Sequence, residues 1–493
     1  MTNIRITLVR ASFWAALLRI STRALNLLQL VLLSRVLGPE DFGLFGVAML
    51  VYGFVEAMTQ LGFADALIQR ASVQRAHINT LFVVSIIRGV LLAALTLLLI
   101  YPATLLVDDT RVAPFIAAIG VVPIIAGFHN PSMVLLQKKL DLRAEFLYRV
   151  IGTVVALLVS FCVAMIYRSA WALVIGMMVE SAIQLIGSYW VNRTWPTFRF
   201  NRSAFDDMFG FGRWLLLSQI LKYFALNSPR WAVAGILGTA SLGTFQVAAR
   251  LSQAVGTEFA KLVATVAFPA FSALASEQAR IRQAFLTSQR LIASASGLIF
   301  ALVIAMPGRI VNVLLGGQWI EAVPAVALMG VLGAFQAIGG QVEVLKALGK
   351  ARVIATMTLL RTIFVLSLVY PLTSWLGLEG AVLAALIPMV AIYFFTAKLV
   401  IASLQVSARE LLVSIAPALS AALGMIGLIL MTGEYLPGGV VGLIASGIWG
   451  CFLYVMILVW VDRRLGGEVR LAYQAAWQPV RERFRPAAMG GGF

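Results

Sequence analysis

Apolar runs of about 20 residues, each long enough to cross a hydrocarbon core of roughly 30 Å as a helix, recur along this chain from end to end. Aqueous packing cannot bury them all. Residues are 61% hydrophobic and 12% charged, where a soluble domain carries roughly a quarter charged residues. The solvent for most of the chain is therefore lipid.

The runs fall at 13–37, 43–64, 78–100, 112–137, 146–167 and 170–191, then, after a polar stretch at 192–207, at 208–237, 242–272, 289–306, 321–345, 352–374 and 377–401, with two more at 410–432 and 438–461. This pattern predicts an all-α polytopic membrane protein of about fourteen transmembrane helices. The expected organisation is an N-terminal six-helix lobe over 1–200, a C-terminal six-helix lobe over 201–403, two additional helices over 404–462 and a basic tail over 463–493. The first run follows Arg5 and Arg10 as a signal peptide would. It is too long for an h-region and contains Arg19 and Arg23, so it reads as a retained helix.

A net charge of +17 suggests nucleic acid in a soluble protein. Here the location of the charge gives another reason for it. With the N-terminus inside, basic residues collect on one side, around Arg70–Arg75, Lys138–Arg143, Arg193–Arg202, Arg280–Arg290, Lys346–Arg352 and in the tail. Arg111, Arg168 and Arg309 stand opposite, among acids such as Glu40, Asp41, Asp108, Asp109 and Glu434. That asymmetry orients a bundle with both termini cytoplasmic and removes the need for a nucleic-acid partner. The two cysteines, Cys162 and Cys451, lie in apolar runs, and His77 and His129 are far apart. Neither a disulfide framework nor a metal site is expected.

The stretch Leu37-Gly38-Pro39-Glu40-Asp41-Phe42-Gly43-Leu44-Phe45-Gly46-Val47-Ala48 returns 200 positions later as Leu237-Gly238-Thr239-Ala240-Ser241-Leu242-Gly243-Thr244-Phe245-Gln246-Val247-Ala248. Both copies link the first two helices of a six-helix set. An even helix number makes the copies parallel, so two lobes are expected to face each other across a central cavity and to rock in alternation.

Some charges did not stay in the loops. A base at a helix centre costs roughly 2.5–3.5 kcal/mol to insert, so it needs water, a counter-ion or a substrate. Arg35, Arg149 and Arg213 lie near run ends and can snorkel to headgroups. Arg19 and Arg23 share one face of the first helix, and Gln246, Arg250, Gln253, Thr257 and Lys261 form a polar stripe on the eighth. Lys222, Arg230 and Arg361 complete the expected substrate-binding set, with a hinge at Ser228-Pro229-Arg230. Glu56 and Glu258 are the expected ion-pair or coupling carboxylates, Glu56 for Arg19 or Arg23 and Glu258 for Lys261 or a base on a neighbouring helix. Bases outnumber acids inside, and a positive cavity suits phosphate or carboxylate.

The Leu37–Phe45 run, followed by Leu61-Gly62-Phe63-Ala64-Asp65-Ala66-Leu67-Ile68-Gln69-Arg70, resembles the polysaccharide transporters of the multidrug/oligosaccharidyl-lipid/polysaccharide superfamily, most of all its colanic-acid and teichuronic-acid exporter branch. The resemblance implies a V-shaped fold and a flippase that moves an undecaprenyl-pyrophosphate-linked oligosaccharide between the leaflets of the bacterial inner membrane. It implies as partners the lipid-linked oligosaccharide, membrane lipids and the polysaccharide polymerase and export machinery. In the related lipid II flippases arginines on the first and eighth helices face the cavity, and by helix number Arg19, Arg23 and Arg250 occupy comparable places. No cofactor or catalytic residue is expected; sodium or proton coupling is left open. A cation-coupled multidrug extruder of the same superfamily is the alternative, disfavoured by two arginines and no acid on the first helix. A polymerase or ligase is disfavoured by short outer loops without a nucleophile and base.

Overall fold

The computed structural model describes residues 2–60, 62–63, 67–68, 73–138, 142–274, 277–338, 341–435, 437–466 and 469, the side chains of 2–12, 137, 142, 207–215, 217–218, 253–270 and 351 excepted. Among the described residues there is no β-strand. The helices are α1 (Thr2–Ser34), α2 (Pro39–Thr59), α3 (Arg75–Leu98), α4 (Ile100–Val107), α5 (Ala113–Ile119), α6 (Val122–Gly127), α7 (Met133–Lys138), α8 (Leu142–Tyr167) and α9 (Trp171–Val191). They continue as α10 (Arg202–Ala273), α11 (Gln278–Ala305), α12 (Pro307–Leu314), α13 (Val323–Ala337), α14 (Gln341–Ala347), α15 (Ala351–Leu404), α16 (Ala408–Thr432) and α17 (Gly439–Arg464).

Twelve spans among the described residues are long and apolar enough to cross a membrane. Two of them are interrupted: Gly238 (φ 85°, ψ −179°) breaks α10 and Gly377 (φ 61°, ψ −133°) breaks α15. Arg352–Leu404, at 53 residues, is far longer than the roughly 20 that one crossing needs. The chain is thus a multi-pass helical membrane protein, with twelve to fourteen candidate membrane helices among the described residues. The hinge expected at Pro229 is not where α10 departs from helical geometry; within that helix Gly238 is the residue outside it. A positive φ is costly for any side chain with a Cβ and free for glycine, so the break falls there.

The runs at 112–137 and 321–345 are not continuous helices either. The first is a 3₁₀ turn at Thr110–Val112 followed by α5, α6 and α7, and the second a 3₁₀ turn at Gly317–Ala322 followed by α13 and α14. Pro114, Pro123 and Pro324 each stand in the first turn of a new helix, where a missing N–H breaks no ladder. The order long helix, short helix, 3₁₀ turn, proline-started helix occurs as α3, α4, Thr110–Val112, α5 and again as α11, α12, Gly317–Ala322, α13. Periodic hydropathy hides these breaks, yet they repeat in the two halves.

By contact density the chain divides into two compact units, one of 1–247 with 365–381 and one of 248–364 with 382–493. In the first, the two copies of the repeated link touch each other. A Cβ on Gly43 would run into the carbonyl oxygen of Thr239, and one on Gly243 into that of Pro39. Exchanging the copies, 43 for 243 and 239 for 39, turns one contact into the other, so the copies meet in an isologous, pseudo-two-fold way. Gly46 lies against Gln246 by the same correspondence. Small residues elsewhere in this unit bring helices close in the manner of membrane bundles: Gly176 packs on Ser160, and Gly187 on Tyr148, between α9 and α8.

In the second unit, α16 and α17 pack on α11. Their shared core contains Ala301, Met306, Ala421, Met425, Leu453 and Tyr454. The Tyr454 hydroxyl donates to the Ser294 carbonyl at 2.8 Å. A second core, with Phe271, Phe285, Leu345, Val400 and Leu411, gathers the end of α10 with α11, α14, α15 and α16.

Candidate functional site

Three groups of intramembrane charge stand out among the described residues of the first unit. Arg88, on α3, donates through Nε to the backbone oxygen and hydroxyl of Thr59 (3.1 and 3.3 Å), and its Nη2 lies 4.0 Å from Glu56. This corrects the expectation that Glu56 neutralises Arg19 or Arg23. Glu56 and Thr59 occupy one turn of α2, and α3 rather than α1 delivers the base to them.

A ladder on α8 is the second. Glu145, Arg149 and Thr153 recur every fourth residue and so lie on one face. Arg149 is 3.0 Å from Glu145, while Thr153 Oγ1 donates to Glu180 of α9 at 2.9 Å and Gln184 donates to the same oxygen at 3.3 Å. Arg149 therefore has a carboxylate on its own helix, a role that snorkelling does not require. The i, i+4 spacing of Glu145 and Arg149 was a signal available in the sequence.

Arg230 on α10 is the third. Its Nη1 donates to Asn227 at 2.6 Å, and no carboxylate partners it among the described residues. Nearby, Trp231 Nε1 donates to the Tyr223 hydroxyl (2.9 Å), which donates to the Leu50 carbonyl (2.7 Å), so this part of α10 is fastened to α2. An apolar cavity of about 430 Å³ opens beside it, walled by Val51, Phe54, Leu106, Trp231 and Val369. Its one buried hydroxyl is Ser228, without a hydrogen-bond partner. With no charged wall, this cavity suits hydrocarbon and not a phosphate.

The remaining expected residues are placed as follows. Arg19 is exposed and Arg23 half-buried on α1, while Lys222 is exposed on α10. Gln246 is 7% exposed and packs on Gly46 in the contact between the repeated links, whereas Arg250 one turn later is exposed. In the second unit Arg361, half-buried on α15, has no carboxylate partner among the described residues, and its Nε is buried without an acceptor there. Gln253, Thr257, Glu258, Lys261 and Arg213 lie outside the described residues.

A polar cluster gathers at helix ends and at the Gly238 break in the first unit. Arg111 bridges Glu40 (2.6 Å) and Asp109 (2.9 Å), and the Thr239 hydroxyl donates to Asp109 at 3.2 Å. The hydrogen bonds from the Arg111 side chain hold the Asp109 carboxyl below the usual carboxylate range. One repeat copy supplies Glu40 and the other Thr239, so this cluster ties the two links together.

The arrangement offers guanidinium groups inside membrane-spanning helices, an apolar cavity, and no group of three or more metal-ligating side chains among the described residues.

Comparison with known proteins narrows the reading. The family described as Polysaccharide biosynthesis protein matches residues 32–324. The chain is 23% identical over 361 residues to the lipopolysaccharide biosynthesis protein WzxC of Escherichia coli (strain K12), covering 71% of this chain and 72% of that one. It is 22% identical over 467 residues to the succinoglycan biosynthesis transport protein ExoT of Rhizobium meliloti (strain 1021), covering 93% and 94%. Among solved structures, the lipid II flippase MurJ in an inward closed conformation superposes with a TM-score of 0.73 at 13% identity, over 93% of this chain and 99% of that one, which establishes a shared fold. With more than half its length under the family match and its helices continuing on either side, the chain belongs to the Polysaccharide biosynthesis protein family.

Proposed function

We propose that this protein is a flippase that carries a polyprenyl-pyrophosphate-linked oligosaccharide repeat unit across the bacterial inner membrane for surface or exopolysaccharide synthesis. The observation that carries the reading is a pair of guanidinium groups inside membrane-spanning helices, Arg230 and Arg361, with no carboxylate partner among the described residues. A buried cation is tolerated where a substrate anion completes it, and arginine forks match pyrophosphate oxygens. Arg19, Arg23, Lys222 and Arg250 join them as substrate contacts in this proposal, and Glu56 with Arg88 serves as an ion pair. The sugars and pyrophosphate need a polar path because hydrocarbon cannot solvate them, while the polyprenyl tail stays in lipid. No covalent step is involved, so the protein works as a transporter and not an enzyme.

Family membership and the transport-protein name of ExoT support this reading over a drug extruder, whose cationic cargo would be repelled by the same arginines. The basic loops support both termini lying in the cytoplasm. The halves 1–200 and 201–403 serve as the repeat units of the cycle, with 404–462 and the tail added to them. A polysaccharide polymerase and its export machinery are the partners that would receive the product, and sodium or proton coupling is left open.

The test is reconstitution in liposomes with a fluorescent undecaprenyl-pyrophosphate oligosaccharide, following its movement between leaflets with and without ion gradients. Protein-dependent movement supports the flippase. Transport of cationic dyes with no movement of the lipid-linked sugar under any gradient overturns it.

A further inference from the structure

Residues 192–201 leave α9 and enter α10 without forming a helix of their own. They are nevertheless pinned. The Thr197 N–H donates to Asn79 Oδ1 at 3.0 Å, and the Asn201 N–H to Thr80 Oγ1 at 3.1 Å. The side-chain amide of Asn130 donates to the carbonyls of Asn192 (2.7 Å) and Thr194 (2.9 Å). Asn79, Thr80 and Asn130 are all buried. An extended strap is thus fixed along its length to the start of α3 and to the turn before α7.

What the strap turns outward is unusual for a fixed segment. Trp195 and Phe198 are 68% and 73% exposed and Phe200 is 50% exposed, next to Trp190 in the last turn of α9, which is 70% exposed. Their rings are also held in place: Trp195 lies 4.7 Å from the Tyr189 ring, and Phe198 5.2 Å from that of Phe82. Interleaved with them, Arg193 and Arg199 are exposed and have no carboxylate partner among the described residues, whereas Arg202 is taken by Asp206 at 3.2 Å. Ordered aromatic rings beside free guanidinium groups cost apolar exposure if they face water.

We propose that this strap is a docking surface for anionic phospholipid headgroups on the basic face of the membrane. The strap follows directly on a membrane-spanning helix, Trp171–Val191, and α10 begins at Arg202. A ten-residue segment tied to helix ends on both sides cannot stand far from the headgroup layer. Indole and phenyl rings settle at that depth, with apolar body toward the chains and edge toward the phosphates. Arg193 and Arg199 then meet lipid phosphates through charge-assisted hydrogen bonds. Each basic residue near an anionic surface contributes about 1 kcal/mol, or about fivefold in local lipid preference. The hydrogen bonds from Asn79, Thr80 and Asn130 preorganise the surface, so no ordering entropy is lost on contact.

The test uses the full chain with Cys162→Ser and Cys451→Ser, carrying a nitroxide at Thr197→Cys, whose native side chain is exposed. The protein is reconstituted in vesicles of phosphatidylcholine alone or of phosphatidylcholine with phosphatidylglycerol. Relaxation by oxygen is compared with relaxation by a water-soluble nickel chelate, and the boundary preference for spin-labelled phosphatidylglycerol over phosphatidylcholine is measured in parallel without the protein label. The expected result is a label at interfacial depth, favouring oxygen, and a phosphatidylglycerol preference that drops by about fivefold for each of Arg193→Gln and Arg199→Gln. These arginines are exposed and pair with no carboxylate among the described residues, so the variants keep the fold. A label relaxed freely by the nickel chelate in both vesicles overturns the proposal and leaves the face to a soluble protein partner. A lipid preference unchanged in the double variant overturns it as well.

Discussion

Replacing Gly43 or Gly243 by alanine tests the contact between the repeated links. The added methyl on Gly43 would collide with the Thr239 carbonyl oxygen and lie 3.2 Å from Thr239 Cα; on Gly243 it would collide with the Pro39 carbonyl oxygen and lie 2.8 Å from Gly43 N. Every obstructing atom is backbone, so no rotamer change relieves the clash and the two links must part by on the order of 1 Å. Overpacking costs about 1–3 kcal/mol where side chains yield, and rigid backbone on both sides puts each variant near 3 kcal/mol. An unfolding entropy of about 2.1 cal/mol/K per residue gives roughly 1 kcal/mol/K for this chain, hence a fall of about 3 °C in Tm. Tryptophan fluorescence during heating of the purified protein in detergent reads this directly. Gly447→Ala is the control: it sits in α17 with nothing within 4 Å of its Cβ, so it should hold or raise Tm. The double variant should cost less than the two singles together, since one separation accommodates both methyls. Singles that match wild type, or a double that is their simple sum, would refute the shared contact.

Below the ordinary aspartate pKa of about 3.9, the Asp109 carboxylate still keeps its proton off in the folded protein, because Arg111 depresses its pKa. Its contribution to stability is therefore complete above that value and is lost as pH falls through the lowered native pKa; Asp109→Asn should flatten the acid side of a Tm-against-pH profile. Arg230→Ala and Arg361→Ala should each slow flipping by about tenfold or more, the loss of one charge-assisted contact, with helical content by circular dichroism unchanged. Arg88→Leu removes the donor to Thr59 and strands Glu56, and should lower Tm by about 1–2 °C. Tyr454→Phe deletes a buried hydroxyl and the one bond it gives the Ser294 carbonyl beside that carbonyl's helical bond, a cost of about 1 kcal/mol that the same melting assay resolves.

Much of the fold was legible because a membrane imposes one simple rule, a long apolar run for every crossing. The repeat was legible because its copies kept the same spacing and the residues that touch, Gly43 and Gly243 among them. The breaks inside 112–137 and 321–345 were not, since Pro114, Pro123 and Pro324 each sit where a new helix starts and leave the hydropathy of the run untouched. Pairing across segments was also beyond the pattern: Glu56 finds Arg88 because α2 and α3 pack together, a fact that spacing within one helix cannot carry. The Glu145–Arg149–Thr153 ladder stood in the sequence at helical spacing, but only packing reveals that Thr153 meets Glu180 on the next helix. Gln246 matched a polar stripe by periodicity, and the structure gives it to the contact with Gly46 instead.

The two glycines that open the repeated links have opposite conformational lives. Gly38 has φ −85° and ψ 175°, a backbone open to any residue, and Gly238 has φ 85° and ψ −179°, a region that belongs to glycine. Neither has an atom within 4 Å of where a Cβ would stand. Sequence drift should therefore treat them unequally: the first copy can exchange its glycine for alanine or serine without strain, and the second cannot. Two letters that match in the duplicated gene are under different selection, one a relic of common ancestry and the other a requirement of the chain's present shape.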